Sequence, residues 1–360
     1  MNDRRHPVVY RTVDYHTAGE PFRIVVDGVA PPPGTSVADR RLTAVRGQDG
    51  GHAERARRLL CLEPRGHADM YGCFVVPPDP VPSGAPAGAT SGRRRAELGV
   101  LFWHKDGFST ACGHGTIALA TWAVDDGIVD VPVDGTGSFA IDVPSGRVEV
   151  EVAREAGVVV HVTFTNVPAR VTADAVTVPT SRGPVQVAVS SGGAFYASLR
   201  AADLGLAVRP EHVPVIIELS REVRAWFGRD PAAVAAVTDL RDPRLSGLYG
   251  TIWFEDVART VDPPVLHQRN VTVFADGEVD RSPCGSGTSA RLALLARTGE
   301  LGRDTMFWHD SVVGTRFHAW LGEERADGVV THVRGSAYRT GQHSFVVDPA
   351  DPLQQGFTLR

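Results

Sequence analysis

Two segments of this chain repeat the pattern Cys-Gly-x-Gly-Thr, and this repeat constrains the fold more than any other feature of the sequence. The first copy, in ACGHGTIALA, begins at Cys112, and the second, in PCGSGTSARLAL, begins 172 positions later at Cys284. Each copy precedes an Ala/Leu-rich run typical of a helix, so each is expected to hold a thiol and several backbone N–H groups at a helix N-terminus. The repeat therefore predicts two similar halves, each built around one such helix.

The two thiols are candidates for acid/base chemistry at one substrate carbon. A helix N-terminus places the positive end of the helix dipole beside the sulfur, which is expected to lower the pKa of the thiol. Two such groups facing one carbon would remove a proton from one side and return one on the other. A cysteine beside glycines is more often a buried core residue. The duplication favours the functional interpretation for Cys112 and Cys284, whereas Cys61 and Cys73 are interpreted as core residues.

The motifs also contain candidate binding groups. Glycines let the backbone approach a ligand closely, so the N–H groups of Gly113, His114, Gly285 and Ser286 are expected to bind a carboxylate, with an α-amino acid as the obvious fit. His114, and Asp280 in DGEVDRSP, are candidates to bind the amino nitrogen and so to stabilise the carbanion formed when the α-proton leaves. A helix-cap or turn role is the alternative for Asp280.

The composition excludes several classes of function. A net charge of −5 gives no basic surface for nucleic acid, and the apolar runs are too short for a membrane helix. The start, MNDRRHPVVY, lacks the apolar region of a signal peptide, so we expect a cytoplasmic protein. Lys105 is the only lysine, which strongly limits pyridoxal phosphate chemistry. His16, His67 and Asp69 lack the spacing of metal ligands, so neither a metal nor any other cofactor is predicted.

The chain is dominated by strands, and two domains are expected from its 360 residues. Pro/Gly-rich residues 77–95 predict a long mobile loop. The repeat places a division near residue 166, giving domains 1–166 and 167–345, with residues 346–360 packing back on the first domain. An active site is expected in the cleft between the domains. Helices are predicted at Ala53–Leu60, Gly115–Asp125, Pro210–Trp226 and Thr288–Thr298, and strands at Pro7–Val13, Phe22–Val26, Gly99–Trp103, Arg147–Val152, Val158–Thr165, Val185–Ser190, Val271–Phe274 and His343–Val347.

At these motifs the chain resembles the proline racemase family, whose members use two cysteines on opposite faces of a pyrrolidine-2-carboxylate and no cofactor. The resemblance covers most of the chain. Its blocks are DYHTAGEPFRIV at Asp14, EPRGHADMYG at Glu63, GFSTACGHGTIAL at Gly107, SGGAFYA at Ser191 and VFADGEVDRSPCGSGTSARLAL at Val273. The resemblance implies an α/β (α+β) fold of the diaminopimelate-epimerase type, in which two similar domains each wrap a barrel-like sheet around a central helix.

The resemblance also implies roles for the motif residues. Cys112 and Cys284 would be the acid/base pair, His114 and Asp280 would lie at the ring nitrogen, and the amides of Gly113, His114, Gly285 and Ser286 would bind the carboxylate. Ser286 departs from the commoner Thr. Tyr71 and Phe274 match positions that wall the ring. A phenol at Tyr71, where proline-specific members carry Phe, could hydrogen-bond a ring hydroxyl, and a plain wall residue is the alternative.

The family contains three activities: proline racemisation, 2-epimerisation of hydroxyprolines and dehydration of trans-3-hydroxy-L-proline. Dehydratases typically carry Thr in place of the second cysteine, so Cys284 favours inversion at Cα. Yet GHADMYG, LGVLFWHKDGFST, GGAFYA and the C-terminal segment are closer to the dehydratase branch. We therefore predict a racemase or epimerase acting on the small molecules proline or hydroxyproline, with dehydration as the nearest alternative and a non-catalytic amino-acid-binding protein as a third. A homodimer is left open.

Overall fold

The computed structural model describes residues 8–47, 51–80 and 95–359. Within these residues the chain forms a mixed α/β structure dominated by one extended sheet. The strands are β1 (Val8–Thr17), β2 (Glu20–Asp27), β3 (Tyr71–Val76), β4 (Leu98–His104), β5 (Gly107–Phe108), β6 (Gly135–Val143), β7 (Gly146–Glu155), β8 (Val158–Thr165), β9 (Arg170–Thr180), β10 (Gly183–Ser191), β11 (Phe195–Arg200), β12 (Leu248–Val261), β13 (Pro264–Phe274), β14 (Glu278–Asp280), β15 (Met306–Ser311), β16 (Arg316–Arg325), β17 (Gly328–Gly335) and β18 (Ala337–Val347). The α-helices are α1 (Val37–Arg46), α2 (His52–Cys61), α3 (Gly113–Asp125), α4 (Val213–Phe227), α5 (Pro231–Ala236) and α6 (Gly285–Arg297).

The strand pairing repeats itself in the two halves of the sheet. In the first half, β18, β1, β2, β3, β4, β6, β7 and β8 pair in that order. In the second half, β9, β10, β11, β12, β13, β15, β16 and β17 pair in that order. Both series run antiparallel, antiparallel, parallel, antiparallel, parallel, antiparallel, antiparallel. The halves therefore share one topology, and β8 joins them by pairing with β17.

Each half curves around one of the two motif helices. Helix α3 contacts β1, β2, β7, β8 and β18, and helix α6 contacts β9, β10, β11, β16 and β17. Residues 113–124 of α3 are all buried, as are residues 285–295 of α6. A helix that is buried all round lies at the centre of a core. This confirms the predicted fold of two similar units, each with a sheet around a central helix.

The predicted helices all form, with small differences at their ends. Helices α3 and α6 begin at the glycine directly after each motif cysteine, two and three residues before their predicted starts. A 3-10 turn at Pro210–His212 precedes α4. Helices α1 and α5 were not predicted, because each buries only two side chains and so gives no apolar periodicity.

The eight predicted strands all form, and most extend beyond their predicted bounds. Ten further strands were not predicted. They include β3, which pairs in parallel with β2, and the parallel pair β11 and β12. In both pairs a long crossover separates the two strands in the chain. Such pairing leaves little local trace in a sequence.

The predicted division at residue 166 and the return at residue 346 stay predictions. Strand β8 ends at Thr165, β9 begins at Arg170, and β18 begins at Ala337 and pairs with β1. Because β18 takes the place in the first half that β9 takes in the second, we propose that the chain returns to the first half at Ala337. Most of the predicted loop at 77–95 lies outside the described residues. Across residues 8–47, 51–80 and 95–359, no helix is long and apolar enough to cross a membrane.

Candidate active site

The N-termini of α3 and α6 meet and form one wall of a shared cavity. A Cβ atom added at Gly113 would lie 2.4 Å from the Cα of Gly285, so the two helix starts touch through their backbones. The cavity is small, with a volume of about 10 Å³, which is room for about one water molecule. Its lining residues are Tyr71, Ala111, Cys112, Gly113, His114, Tyr196, Tyr249, Phe274, Asp280, Cys284 and Ser286.

The second glycine of each motif makes room for the cysteine sulfur. A Cβ atom would lie 2.7 Å from Cys112 Sγ at Gly115, and 2.9 Å from Cys284 Sγ at Gly287. These distances are shorter than any ordinary contact. The pattern Cys-Gly-x-Gly thus has a geometric explanation: the first glycine lets the two helices meet, and the second lets each sulfur rest against its own helix N-terminus.

Cys112 caps its helix and contacts an imidazole. Its Sγ accepts the N–H of Gly115 at 3.2 Å, in the place where a Ser or Thr oxygen commonly caps a helix. The two ring nitrogens of His114 lie 3.4 and 3.6 Å from the same sulfur. His114 Nδ1 lies 3.7 Å from Asp280 Oδ2, and both side chains are buried. His114 and Asp280, the predicted pair, therefore lie together beside the first cysteine.

Cys284 is held in an uncommon backbone conformation. Its φ is +63°, a region that side-chain-bearing residues rarely occupy and that is often found at functional sites. Ser282 Oγ accepts the N–H of Cys284 at 3.0 Å, and Asp280 Oδ1 accepts both the N–H and the hydroxyl of Ser282, at 2.8 and 2.7 Å. Asp280 thus orders the turn that carries Cys284 and also faces His114. The turn role of Asp280 is confirmed, and its role toward a substrate nitrogen stays a prediction.

The opposite wall is aromatic and carries a chain of hydroxyl groups. Tyr71 OH lies 2.5 Å from Ser109 Oγ and 2.9 Å from Tyr249 OH. The Phe274 ring lies 5.6 Å from each of these tyrosine rings, and the His114 ring lies 4.9 Å from Tyr71. Two hydrogen bonds among three hydroxyls use two of their three protons. Whichever way these bonds run, one proton remains for another acceptor.

Burial decides the charge state of the thiols. It raises the pKa of Cys112 well above its ordinary value, and the nearby Asp280 carboxylate raises it further, although the Gly115 N–H lowers it. Burial is also the largest cause that raises the pKa of Cys284, again with Asp280 second. The N–H groups of Gly115 and Gly287 at the helix N-termini lower the two pKa values, as expected, but loss of hydration raises both by more.

A second cavity, of about 280 Å³, adjoins the first and shares Tyr249 with it. Helix α1 contributes Arg41 to this cavity, and the turn before β12 contributes Leu245, Ser246 and Gly247. The two halves of the chain therefore border it together. It is larger than the cavity that holds the two cysteines, and Ser109 lines it as well.

One group of candidate metal ligands occurs in the described part of the chain, at His104, Asp106 and Glu278. His104 Nδ1 lies 3.0 Å from Glu278 Oε1, and the Lys105 ammonium group donates to both Asp106 oxygens at 3.0 and 3.1 Å. The Lys105 ammonium group therefore already balances the charge of the Asp106 carboxylate. We assign no metal to it.

The structure brings the sequence-predicted residues together. One cavity is lined by eight of the nine predicted residues: Tyr71, Cys112, Gly113, His114, Phe274, Asp280, Cys284 and Ser286. The ninth, Gly285, lies in contact with Gly113.

Sequence reasoning missed the hydroxyl-bearing residues Ser109, Tyr196 and Tyr249. A signal for Tyr249 exists. Gly72 and Gly250, which directly follow Tyr71 and Tyr249, take part in corresponding parallel pairings in the two halves, so the duplication extends beyond the cysteine motifs.

The chain matches known proteins over nearly its whole length. Residues 12–358 match the sequence profile of the family described as proline racemase. A trans-3-hydroxy-L-proline dehydratase of Bacillus cereus is 36% identical over 358 residues, covering 98% of both chains. A 3-hydroxyproline 2-epimerase of Burkholderia multivorans is 38% identical, covering 97% of this chain and 98% of its own. A proline racemase of Acetoanaerobium sticklandii is 33% identical, covering 96% of this chain and 97% of its own.

Solved structures show the same fold. A hydroxyproline epimerase of Agrobacterium vitis, with bound trans-4-hydroxy-L-proline, has a TM-score of 0.84 at 24% identity and covers 98% of this chain and 95% of its own. A methylitaconate-delta-isomerase has a TM-score of 0.52 at 12% identity and covers 98% of both chains. The curated relatives and the matched profile establish the same relationship independently of the fold, and the chain is a member of the proline racemase family of enzymes.

Proposed function

We propose that this enzyme inverts Cα of proline or, preferentially, of a hydroxyproline, with Cys112 and Cys284 as its acid/base pair. One observation carries the proposal. The two thiols come from corresponding positions of the two halves and line a single cavity that also holds the His114–Asp280 pair. Two bases from opposite sides are what inversion of one carbon requires.

The proposed binding mode follows from the groups that surround the thiols. The first N–H groups of a helix have no partner within the helix, so the amides of Gly113, His114, Gly285 and Ser286 are available to a substrate carboxylate. Asp280 and His114 would hold the ring nitrogen in its positive form. A positive nitrogen and a bound carboxylate both stabilise negative charge at Cα.

The proton steps balance without a cofactor. A thiolate on one face takes the proton as the Cα–H bond breaks, and the thiol on the other face gives its proton to Cα. The enzyme then holds the thiol and the thiolate in exchanged positions, ready for the reverse direction. Because burial raises the pKa of both thiols, the reactive thiolate is a minor form at neutral pH.

Dehydration of trans-3-hydroxy-L-proline is the second candidate, and a specific observation favours it. The hydroxyl chain of Ser109, Tyr71 and Tyr249 always retains one unused proton. That proton could be donated to a ring hydroxyl, which would leave as water after the α-proton is removed. The relatives carry both names, and this chain keeps the second cysteine that inversion requires.

A panel of substrates in deuterated water tests the proposal. L-Proline, trans-3-hydroxy-L-proline and trans-4-hydroxy-L-proline are incubated with the enzyme, and the products are separated by chiral chromatography. We expect inversion at Cα with incorporation of deuterium for at least one of them. A cyclic imine, detected with an aminobenzaldehyde reagent, would assign dehydration instead. No exchange with any substrate would contradict both candidates.

Variants of Cys284 separate inversion from dehydration. Cys284→Ser and Cys284→Thr are expected to abolish inversion, because no acid then faces the second side of Cα. Retained conversion to imine in these variants would favour the dehydratase. Cys61→Ser is the matched control, because Cys61 does not line the cavity. Its thiol donates to the Met70 carbonyl oxygen at 3.3 Å, and a serine hydroxyl can keep that hydrogen bond.

A binding protein without catalysis is the remaining alternative. It predicts that alkylation of Cys112 and Cys284 leaves amino-acid binding intact, which calorimetry with L-proline would show. We also infer a cytoplasmic location, since all four cysteines are unpaired thiols and a reducing compartment preserves them. Fractionation that finds the protein outside the cytoplasm would contradict this inference.

A further inference from the structure

Tyr196 is a third tyrosine in the cavity, and it contacts the second cysteine rather than the hydroxyl chain of Tyr71. Its side chain is fully buried, and its ring packs edge-on against the ring of Tyr249 at 5.6 Å. Its hydroxyl lies 2.7 Å from Ser286 Oγ and 3.6 Å from Cys284 Sγ. The phenol therefore bridges the thiol and the residue that follows the first motif glycine.

The proton count of this bridge differs between the two states of the sulfur. A thiol has one proton to donate, so Cys284 donates to the Tyr196 oxygen and Tyr196 donates to Ser286. A thiolate has none, so Tyr196 must turn its proton toward the sulfur and accept the proton of Ser286. Both arrangements use the same three atoms. No proton is gained or lost by the phenol, and only the direction of the hydrogen bonds reverses.

The first cysteine has different neighbours. Cys112 contacts the His114 imidazole and the Gly115 N–H, and the His114 ring packs against Tyr71 at 4.9 Å and Phe22 at 5.7 Å. The two thiols are therefore equivalent in the duplication but are placed in unequal chemical surroundings. The hydroxyl bridge belongs to the Cys284 side.

We propose that Tyr196 is a positioning residue for Cys284, whose hydroxyl accepts from the thiol in one half of the catalytic cycle and donates to the thiolate in the other. The inference rests on the proposed function, because only an acid/base cysteine needs both states to be supported. Hydrogen bonds to a charged group are stronger than those to a neutral one, so the bridge favours the thiolate. Other titratable groups that act on Cys284 are Asp280, Cys112 and Tyr249.

The test compares the alkylation of each cysteine in the unchanged enzyme and in Tyr196→Phe. Iodoacetamide reacts with the thiolate, and peptide mass spectrometry reports each cysteine separately between pH 6 and pH 10. Loss of the phenol is expected to raise the pKa of Cys284 by about one unit, so its reaction at a fixed pH below that pKa slows about tenfold. Cys112 in the same molecule is the internal control and should change less than about twofold.

Tyr15→Phe is the matched control variant, since it removes a tyrosine hydroxyl that donates to Asp125 at 2.8 Å outside the cavity. It should keep the unchanged pH profile at Cys284. A thermal unfolding curve checks that both variants are folded. Equal slowing of both cysteines, no slowing at Cys284, or a Cys284 that never reacts in the unchanged enzyme would overturn the proposal.

Turnover adds an arm that depends on the proposed function. In Tyr196→Phe the acidic limb of the pH profile of kcat/KM should move up by about one unit in the direction that starts from the Cys284 thiolate, and should stay in place in the opposite direction. Failure of all turnover in the unchanged enzyme would contradict the proposed function alone, because the alkylation result does not require a substrate.

Discussion

The hydroxyl group of Tyr71 joins the two halves of the enzyme inside the cavity. It lies between Ser109 of the first half and Tyr249 of the second, and this chain has one proton more than its own hydrogen bonds use. The resemblance implied a phenol that could hydrogen-bond a ring hydroxyl, with a plain wall residue as the alternative. In the structure this phenol is already paired with Ser109 and Tyr249, so a ring hydroxyl would meet the chain as a whole.

Tyr71→Phe tests whether the hydroxyl chain recognises a ring hydroxyl. We expect kcat/KM for a hydroxyproline substrate to fall about fivefold more than kcat/KM for proline, because one neutral hydrogen bond contributes roughly 1 kcal/mol. Tyr15→Phe is the control, since its hydroxyl donates to Asp125 at 2.8 Å outside the cavity. An equal loss for both substrates would mean that Tyr71 is only a wall.

At the residue scale the sequence predicted which side chains form the site but not their electrostatics. Cys112, Cys284 and His114 could be identified because the repeated motif carries them, and Asp280 because it lies four residues before Cys284 in DGEVDRSP. The direction in which the pKa of each thiol changes could not be predicted, because it depends on how completely water is excluded from the sulfur. The buried cavity that excludes water forms only when both halves are folded. Ser109 could not be assigned for the same reason.

At the scale of elements, the contact between α3 and α6 explains why the motif contains glycine. The first turns of the two helices touch at Gly113 and Gly285, and Phe164 lies close to the same point. A side chain at either position would push the helices apart and move both thiols. The distance between the two thiols is therefore set by a backbone contact.

Gly113→Ala tests this contact. The added methyl group would lie 2.4 Å from the Gly285 Cα, and neither backbone can yield easily. We expect the free energy of unfolding to fall by about 2 to 3 kcal/mol and turnover to fall by at least tenfold. Gly302→Ala is the control, because the nearest atom to its added Cβ is 3.8 Å away. Equal stability of the two variants in urea would contradict the account.

The central helices were predictable because a buried helix that follows a glycine motif has a strong local pattern. The strands around these helices were less predictable. Strand β3 pairs in parallel with β2, and the crossover between them contains α1 and α2. Strand β12 likewise pairs in parallel with β11 after a crossover of its own. Their positions depend on residues far away in the chain, which no local pattern records.

At the scale of the whole molecule, the two halves have the same order of strand pairing, and β18 completes the first half from the C-terminal end of the chain. Arg339 of β18 donates to Tyr15 OH at 3.0 Å and forms an ion pair with Asp126 at the end of α3. The first unit is therefore complete only when residues from both ends of the sequence have come together. The sequence predicted a return to the first half for residues 346–360, but the repeat gave no sign that β18, which begins at Ala337, pairs with β1.

The stability of the whole molecule is expected to depend on buried His309 of β15. Burial lowers the pKa of this imidazole to about 3, and its Nδ1 lies 2.9 Å from Thr288 Oγ1 of the second motif. The unfolded chain binds a proton near pH 6.5 that the folded chain binds only near pH 3. The contribution of the neutral, buried His309 to the free energy of unfolding is therefore complete above pH 6.5, and it is lost as the pH falls toward 3.

His309→Gln removes this titration. Between pH 6 and pH 4 the free energy of unfolding of the variant should fall less steeply than that of the unchanged protein, by about 1.4 kcal/mol per pH unit. Urea unfolding at several pH values measures both slopes, so any constant cost of the substitution cancels. Parallel slopes would show that His309 takes up its proton while the protein is still folded.

The fate of the α-hydrogen in deuterated water during the first turnovers tests the two-cysteine mechanism most directly. If one sulfur removes the proton and the other supplies a deuteron from the opposite face, the inverted product carries deuterium at Cα, while the recovered substrate still carries hydrogen. Mass spectrometry of the separated stereoisomers reads both. Deuterium appearing in recovered substrate as fast as in product, or product that keeps the original hydrogen, would contradict a pair of opposed thiols.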